Sequence, residues 1–249
     1  MPQFARWRFR VSGIIEVSGL VKVYGTGDLR VEALRGVDLE IEQGQMVAIM
    51  GPSGCGKTTL LNTLSGIDDI TAGEVLIDGT SIHDMPDKER TRYRAQSMGF
   101  VFQSFNLLPV LSGVENIELP LLLGGTPQAA ARRKAMETLE LVGLTDQAHK
   151  RPSEMSSGQQ QRITVARAIV NDPAIIWADE PTGALDSETS KEIMDLLCDL
   201  NERQHQTFVL VTHDNGVGAR AQRLVRMRDG RIESDEPTAS PGPVAGASA

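Results

Sequence analysis

Three periodicities run along this chain, and their order predicts its architecture. Ile14 to Val23 and Val37 to Ile41 carry alternating or β-branched apolar positions and read as strands, separated by a loop at Gly25-Thr-Gly27-Asp28. Met46 to Met50 is continuously apolar, as a strand buried on both faces of a parallel sheet must be. Glu74 to Ile77 reads as a short strand closed by the turn Asp78-Gly79, and Met98 to Phe102 as another strand. From Phe105 to about Met155 the pattern changes. Leu107-Leu-Pro109 and Leu119-Pro-Leu-Leu-Leu123 are apolar but broken by proline, which suits a packed surface better than a sheet. Pro127 to Val142 then has helical spacing, with Thr126 as N-cap, Pro127 at the first position and Gly143 as the stop. Strands resume at Ala174 to Ala178, Thr207 to Val211 and Leu224 to Met227, with a helix from Ser187 to about Arg203. The whole reads as an α/β core interrupted by a mostly helical insertion.

The polar residues at the strand ends carry the chemistry. Directly after Met46 to Met50 comes Gly51-Pro52-Ser53-Gly54-Cys55-Gly56-Lys57-Thr58-Thr59, a G-x-x-x-x-G-K-[ST] run between a strand and a helix from Lys57 to about Ser65. Backbone N–H groups curled around one anion, the helix dipole and the Lys57 ammonium suit the β- and γ-phosphates of a nucleoside triphosphate. The Thr58 hydroxyl is placed to ligate Mg²⁺. The strand at Ile175 to Ala178 runs into Asp179 and Glu180, whose side chains must diverge, so one suits Mg²⁺ through water and the other an attacking water. Met155-Ser156-Ser157-Gly158-Gln159 opens the helical stretch Ile163 to Val170 and offers hydroxyls and N–H groups at a second helix start. One nucleotide has no use for two such surfaces, so the second is expected to serve a nucleotide held by another copy.

Composition and charge narrow the classes. The chain has 249 residues, 40% hydrophobic and 23% charged, with net charge −8, enough for one large domain with a subdomain. The acidic balance argues against nonspecific nucleic-acid binding, and no apolar run reaches the roughly 18 residues of a spanning helix. Cys55 and Cys198 lie far apart without metal spacing, which predicts neither a zinc site nor a disulfide framework. Cys55 is expected to be a tolerated small residue rather than a redox switch. Residues 1–13, where Arg6, Arg8 and Arg10 alternate with Phe4, Trp7 and Phe9, read as an irregular extension. Residues 237–249, rich in Pro, Ala, Gly and Ser, read as a disordered tail.

Taken together, these runs resemble the nucleotide-binding domain of an ATP-binding cassette (ABC) transporter. The likeness covers Ile15 to about Ile232 and falls closest to the macrolide-export and lipoprotein-release branch. It implies an ABC-type P-loop ATPase core, a mixed sheet with flanking helices, plus an antiparallel β subdomain and an α-helical subdomain at about 104–170, within a cassette spanning 14–236. It further implies that Gly51 to Thr58 is Walker A and that Walker B runs from Ile175 to Asp179. Glu180 would be the catalytic carboxylate, Gln103 the Q-loop ligand of Mg²⁺ or water, and His213 the γ-phosphate sensor. Tyr24 would stack on adenine, and Ser156 to Gln159 with Asp186 would act in trans across an ATP-bound homodimer.

The signature departs from the family pattern Leu-Ser-Gly-Gly-Gln at Met155 and Ser157; if the replaced glycine needs positive φ, serine costs about 1 kcal/mol. The expected partner is a separately encoded integral membrane permease, docking behind Gln103 on Phe105, Leu107, Leu108 and Ile117. That places the chain peripherally on the cytoplasmic face of the membrane, driving export or mechanical transmission. Two alternatives stay open: a regulator that activates a cell-wall hydrolase through its permease, and a soluble ABC ATPase of repair or translation.

Overall fold

A computed structural model describes residues 13–238. The expected N-terminal extension lies outside the described residues, Gly13 aside. Two sheets form. The smaller is antiparallel: β1 (Ile15–Tyr24) is flanked by β2 (Val31–Ile41) and β4 (Ala72–Ile77), and the two-residue β5 (Thr80–Ser81) closes a hairpin through Asp78-Gly79. The larger has six strands. At its centre β3 (Met46–Met50) pairs in parallel with β8 (Thr207–Thr212) and β9 (Arg223–Arg228); β7 (Ile175–Asp179) and β6 (Met98–Phe102) extend it in parallel on one side, and β10 (Arg231–Pro237) adds an antiparallel edge on the other.

The continuous apolar strands follow from burial on both faces. Val47, Ile49, Trp177, Val209 and Val211 pack beneath the small sheet and α1 (Lys57–Leu64). Their sequence neighbours Met46, Ala48, Ile176, Ala178, Phe208 and Leu210 face the opposite side, against α5 (Ser157–Ile169) and α6 (Ser187–Gln204). Side chains of a strand alternate between faces, so a strand covered twice has no polar position to spare. A third apolar cluster joins α3 (Gly113–Leu123) and α4 (Gln128–Leu141) to α5, through Val114, Ile117, Leu121, Ala135, Leu139 and Ile163.

Several sequence expectations need correction. The proline-broken run at 119–123 is the second half of helix α3, with Pro120 inside it. An interior proline costs about 3 kcal/mol, and burial of Val114, Ile117 and Leu121, at roughly 1.5–3 kcal/mol each, more than offsets it. The start of α3 is secured by Glu115, whose carboxylate accepts from the Ser112 N–H at 2.8 Å and its hydroxyl at 2.7 Å. Pro127 rather than Thr126 occupies the N-cap of α4, with extended ψ of 140°, so the helix begins one residue later than expected. The edge strand β10 runs through Pro237, and Thr238 donates its N–H to the Gln222 carbonyl at 3.0 Å. The tail expected from 237 therefore has its first two residues held by the sheet; the rest of it lies outside the described residues.

Candidate functional site

Sheet register assembles the site. Met50 stands opposite Thr212, Asp179 opposite Val211, and Phe102 opposite Asp179. The residues that follow these strands, Gly51, His213, Glu180 and Gln103, therefore emerge together at the carboxyl edge of the parallel strands, where α/β proteins bind ligands. A cleft of about 490 Å³ opens there. Of the expected residues, Ser53, Gly54, Gly56, Lys57, Thr58, Thr59, Gln103 and Glu180 line it.

The loop after β3 is shaped by glycine at two positions that no other residue could fill. Gly56 has φ of 103°, and a Cβ there would sit 2.6 Å from the Ala33 carbonyl oxygen. At Gly51 a Cβ would meet the Met227 carbonyl oxygen at 2.2 Å. Gly56 also serves as N-cap of α1 without any side chain to occupy the first N–H groups, which leaves them pointing into the cleft. Lys57 arches over the loop and donates to the carbonyls of Gly51 at 2.8 Å and Pro52 at 3.0 Å. The Cys55 thiol turns the other way, into the apolar core, 4% exposed. Gly51, Pro52 and Cys55 thus shape the loop from behind and do not line the cleft.

The carboxylates divide as strand alternation requires. Asp179 accepts from the Thr58 hydroxyl at 3.2 Å. Burial raises its pKa above the ordinary aspartate value, helped by the neighbouring Glu180 charge and opposed by Thr58 and Lys57. A paired hydroxyl and carboxylate, two hard oxygens beside a phosphate-sized cleft, suits Mg²⁺, and a bound cation would reverse the cost of ionising Asp179. Glu180 has φ of 49°, in the left-handed region that costs a residue with a side chain about 1–2 kcal/mol. Its N–H bonds the Val211 carbonyl at 2.9 Å, which fixes the turn and aims its carboxylate into the cleft. One oxygen lies 2.8 Å from His213 Nδ1 and the other accepts from Thr212 at 3.3 Å. Asp214 donates its N–H to the Thr212 hydroxyl and caps α7 (Asn215–Gly218), which anchors the turn that carries His213. Gln103 lies against Gly183, where a Cβ would approach its amide nitrogen to 2.8 Å.

Tyr24 stands beside the cleft rather than in its wall, 40% exposed, its hydroxyl donating to Asp68. The Ser156 to Gln159 segment lies apart. Ser156 caps α5, accepting from Gln159 N–H at 3.2 Å, while the Gln159 amide oxygen accepts from Ser156 N–H at 3.0 Å. Ser157 is the first residue of the helix and has no positive φ, so the serine carries none of the backbone strain considered from the sequence. None of these four residues lines the cleft around Lys57. Asp186 caps α6, accepting from the N–H groups of Glu188 and Thr189 and from the Thr189 hydroxyl, and these bonds hold its pKa down.

Some participants left no mark in the sequence. Thr189 joins the two separated segments, since its methyl leaves no room for a Cβ on Gly158 while its hydroxyl serves Asp186. Gln161, fully buried, donates to the Pro181 carbonyl and ties α5 to the turn after Glu180. The β9–β10 turn reaches the phosphate loop, with Gly230 N–H on the Cys55 carbonyl at 3.0 Å. Only tertiary pairing brings these groups near. Of the apolar face expected at Phe105, Leu107, Leu108 and Ile117, Leu108 is exposed and Phe105 and Leu107 are half-buried, but Ile117 is fully buried in the helical cluster. The groove on this side is lined instead by Phe100 and Phe102, stacked at 5.9 Å, with Met98, Pro120 and Arg167.

Comparison with known proteins places this geometry among relatives. The family model described as ABC transporter matches residues 34–183, more than half the chain. A lipoprotein-releasing system ATP-binding protein, LolD, from Bacteroides thetaiotaomicron is 44% identical over 222 residues, covering 89% of this chain and 100% of the relative. A macrolide export ATP-binding/permease protein, MacB, from Brucella abortus is 45% identical over 222 residues, 89% of this chain but 34% of that longer protein. Among solved structures, the dimeric post-hydrolysis state of the ATP-binding cassette MJ0796 of Methanocaldococcus jannaschii, bound to ADP and Pi, aligns with TM-score 0.84 at 42% identity. It covers 91% of this chain and 99% of that one.

Proposed function

The chain belongs to the ABC transporter family as an ATP-binding, ATP-hydrolysing subunit, and on that premise we propose that two copies close around two ATP and drive a separately encoded membrane permease. The observation that carries this reading is the separation of the two phosphate-directed surfaces. The loop at 51–59 and the start of α5 each offer N–H groups and hydroxyls, yet only the first lines the cleft. A second copy, turned to face the first, would supply Ser156, Ser157, Gly158 and Gln159 to the exposed side of the nucleotide, with Asp186 at the seam. A dimer bound to ADP and Pi in a 42%-identical relative supports that arrangement.

Each residue then has a role set by its place. The N–H groups of Ser53, Gly54, Gly56, Lys57 and Thr58, with the Lys57 ammonium, hold the β- and γ-phosphates; Lys57 exchanges its two carbonyl partners for phosphate oxygens. Thr58, Asp179 through water, and Gln103 would hold Mg²⁺, which when bound offsets charge on the phosphate oxygens. Glu180 orients and polarises the attacking water, and His213 steadies Glu180 through their 2.8 Å contact and addresses the γ-phosphate. Tyr24 stacks on the base. Closure pulls on the Gln103 turn, and through it on the groove at Phe100 and Phe102, where a cytoplasmic segment of the permease would dock.

No helix among the described residues is long and apolar enough to cross a membrane. The proposed position is therefore peripheral, on the cytoplasmic face beside the permease. Relatives named for lipoprotein release and macrolide export make export, or force transmission to an extracytoplasmic domain, the proposed output. The test is steady-state ATPase activity of the chain alone and with its co-encoded permease in lipid. Stimulation by the permease is expected; vigorous activity indifferent to it would point to a soluble ATPase.

A further inference from the structure

Beside the cleft, one buried lysine has a set of partners that the phosphate chemistry does not use. Lys22 is 8% exposed, and its ammonium donates to Asp68 Oδ1 at 2.7 Å and to the Asp69 carbonyl at 2.6 Å. The same nitrogen stands 4.7 Å from the centroid of the Tyr24 ring, over its face. Tyr24 donates its hydroxyl to the other oxygen of the same Asp68 carboxylate, at 2.5 Å. One carboxylate thus bridges the cation and the phenol, and the cation covers one side of the ring. The Asp69 carboxylate is taken by Arg90, which leaves its carbonyl to Lys22.

The segment that supplies these partners is also tied to the phosphate-binding helix. The N–H groups of Ile67 and Asp68 both bond the Asn62 carbonyl, in the last turn of α1. Thr71 returns to β1, donating its N–H to Val21 and accepting the N–H of Val23 at 2.9 Å. A continuous bonded path therefore runs from the loop that holds phosphates, along α1, through Asp68 and Lys22 to the Tyr24 ring.

We infer that Lys22 and Asp68 are positioning residues that fix the Tyr24 ring, one face closed by the ammonium and the other open, at a set distance from the phosphate loop, and so strengthen binding of the nucleoside part of ATP. The inference rests on the reading that Tyr24 stacks on the base. A ring free to rotate must be ordered by each incoming base, whereas a clamped ring is already in place. The clamp acts on the face of the ring, which every base can use, so it raises affinity without choosing among bases.

Equilibrium dissociation constants for ATP and for inorganic tripolyphosphate, which has no base, test this on the full chain. Lys22→Met and Asp68→Asn are each expected to weaken ATP roughly tenfold, as Tyr24→Ala does, with tripolyphosphate binding unmoved. The double variant Lys22→Met/Tyr24→Ala should be no worse than Tyr24→Ala alone, and Lys22→Arg, which keeps a cation over the ring, should restore ATP binding. Equal weakening of ATP and tripolyphosphate would mean a merely structural lysine and overturn the inference. So would ATP affinity unchanged in both Lys22→Met and Asp68→Asn while Tyr24→Ala weakens it. If Tyr24→Ala itself leaves ATP affinity unchanged, the stacking reading falls first and takes this inference with it.

Discussion

The roles proposed for Glu180 and Lys57 differ, and substitutions of the two should separate cleanly. Glu180→Gln keeps the size of the side chain and its left-handed backbone while removing the base, so ATP should bind and turnover should drop by a factor of at least 10². Hydrolysis at the parent rate in that variant would remove Glu180 from the mechanism. Lys57→Ala removes the cation from the loop, and ATP binding measured by titration should fall below detection; unchanged affinity would contradict the cradle. Gly56→Ala tests the geometry rather than the charge. At φ of 103°, with the Ala33 carbonyl 2.6 Å from the new Cβ, the loop must distort, and an affinity loss of at least about tenfold is expected. Most of these residues could be named from the sequence, because phosphate chemistry demands glycine, lysine and hydroxyl at fixed spacing. Thr189, Gln161 and Gly230 could not, because each acts through a neighbour 20 or more residues away that no motif records.

Among the elements, what burial dictates was legible and what it does not dictate was missed. Strands β3 and β6 fall where their apolar runs placed them: β3 is buried on both faces, while β6 is buried at Met98, Gly99 and Val101 and half-buried at Phe100 and Phe102. Helix α2 (Asp87–Ser97) has no buried residue and edge strand β10 reads Arg-Ile-Glu-Ser-Asp-Glu-Pro, so neither carries an apolar period to find. The half-helix at 119–123 was hidden by Pro120, whose cost is met by packing that lies far away in sequence. Within the first turn of α3, a fully buried side chain ties down the loop that precedes the helix. The Asn116 amide accepts the Leu108 N–H at 2.8 Å and donates to the carbonyls of Leu108, Leu111 and Ser112. Replacing it with alanine strands several buried polar groups, each worth about 1–3 kcal/mol. Asn116→Ala should lower the melting temperature by roughly 4–10 °C, read by thermal unfolding. A shift under one degree would show that the loop at 104–112 relaxes without it.

At the scale of the whole molecule, the loop at 51–59 and the start of α5 lie apart on one chain, and the proposed arrangement of two copies makes them halves of two sites. The same logic was readable from the sequence, since a second helix start rich in hydroxyls had no nucleotide of its own. The fold contributes the reason the halves stay apart: α5 is bonded to the turn after Glu180 through Gln161 and packed on α6 through Gly158 and Thr189, so its first turn is not free to swing into its own cleft. The groove proposed for docking a permease was the least legible feature. Apolar residues in the sequence do not say which side they face, and Ile117 points into the helical cluster while Phe100 and Phe102 line the groove.

If ATP joins two copies, the molar mass of Glu180→Gln in solution should show it directly, by light scattering during size exclusion with and without ATP and Mg²⁺. A mass near 27 kDa is expected without nucleotide and twice that with it. A monomer at saturating ATP, with binding confirmed by titration, would contradict it.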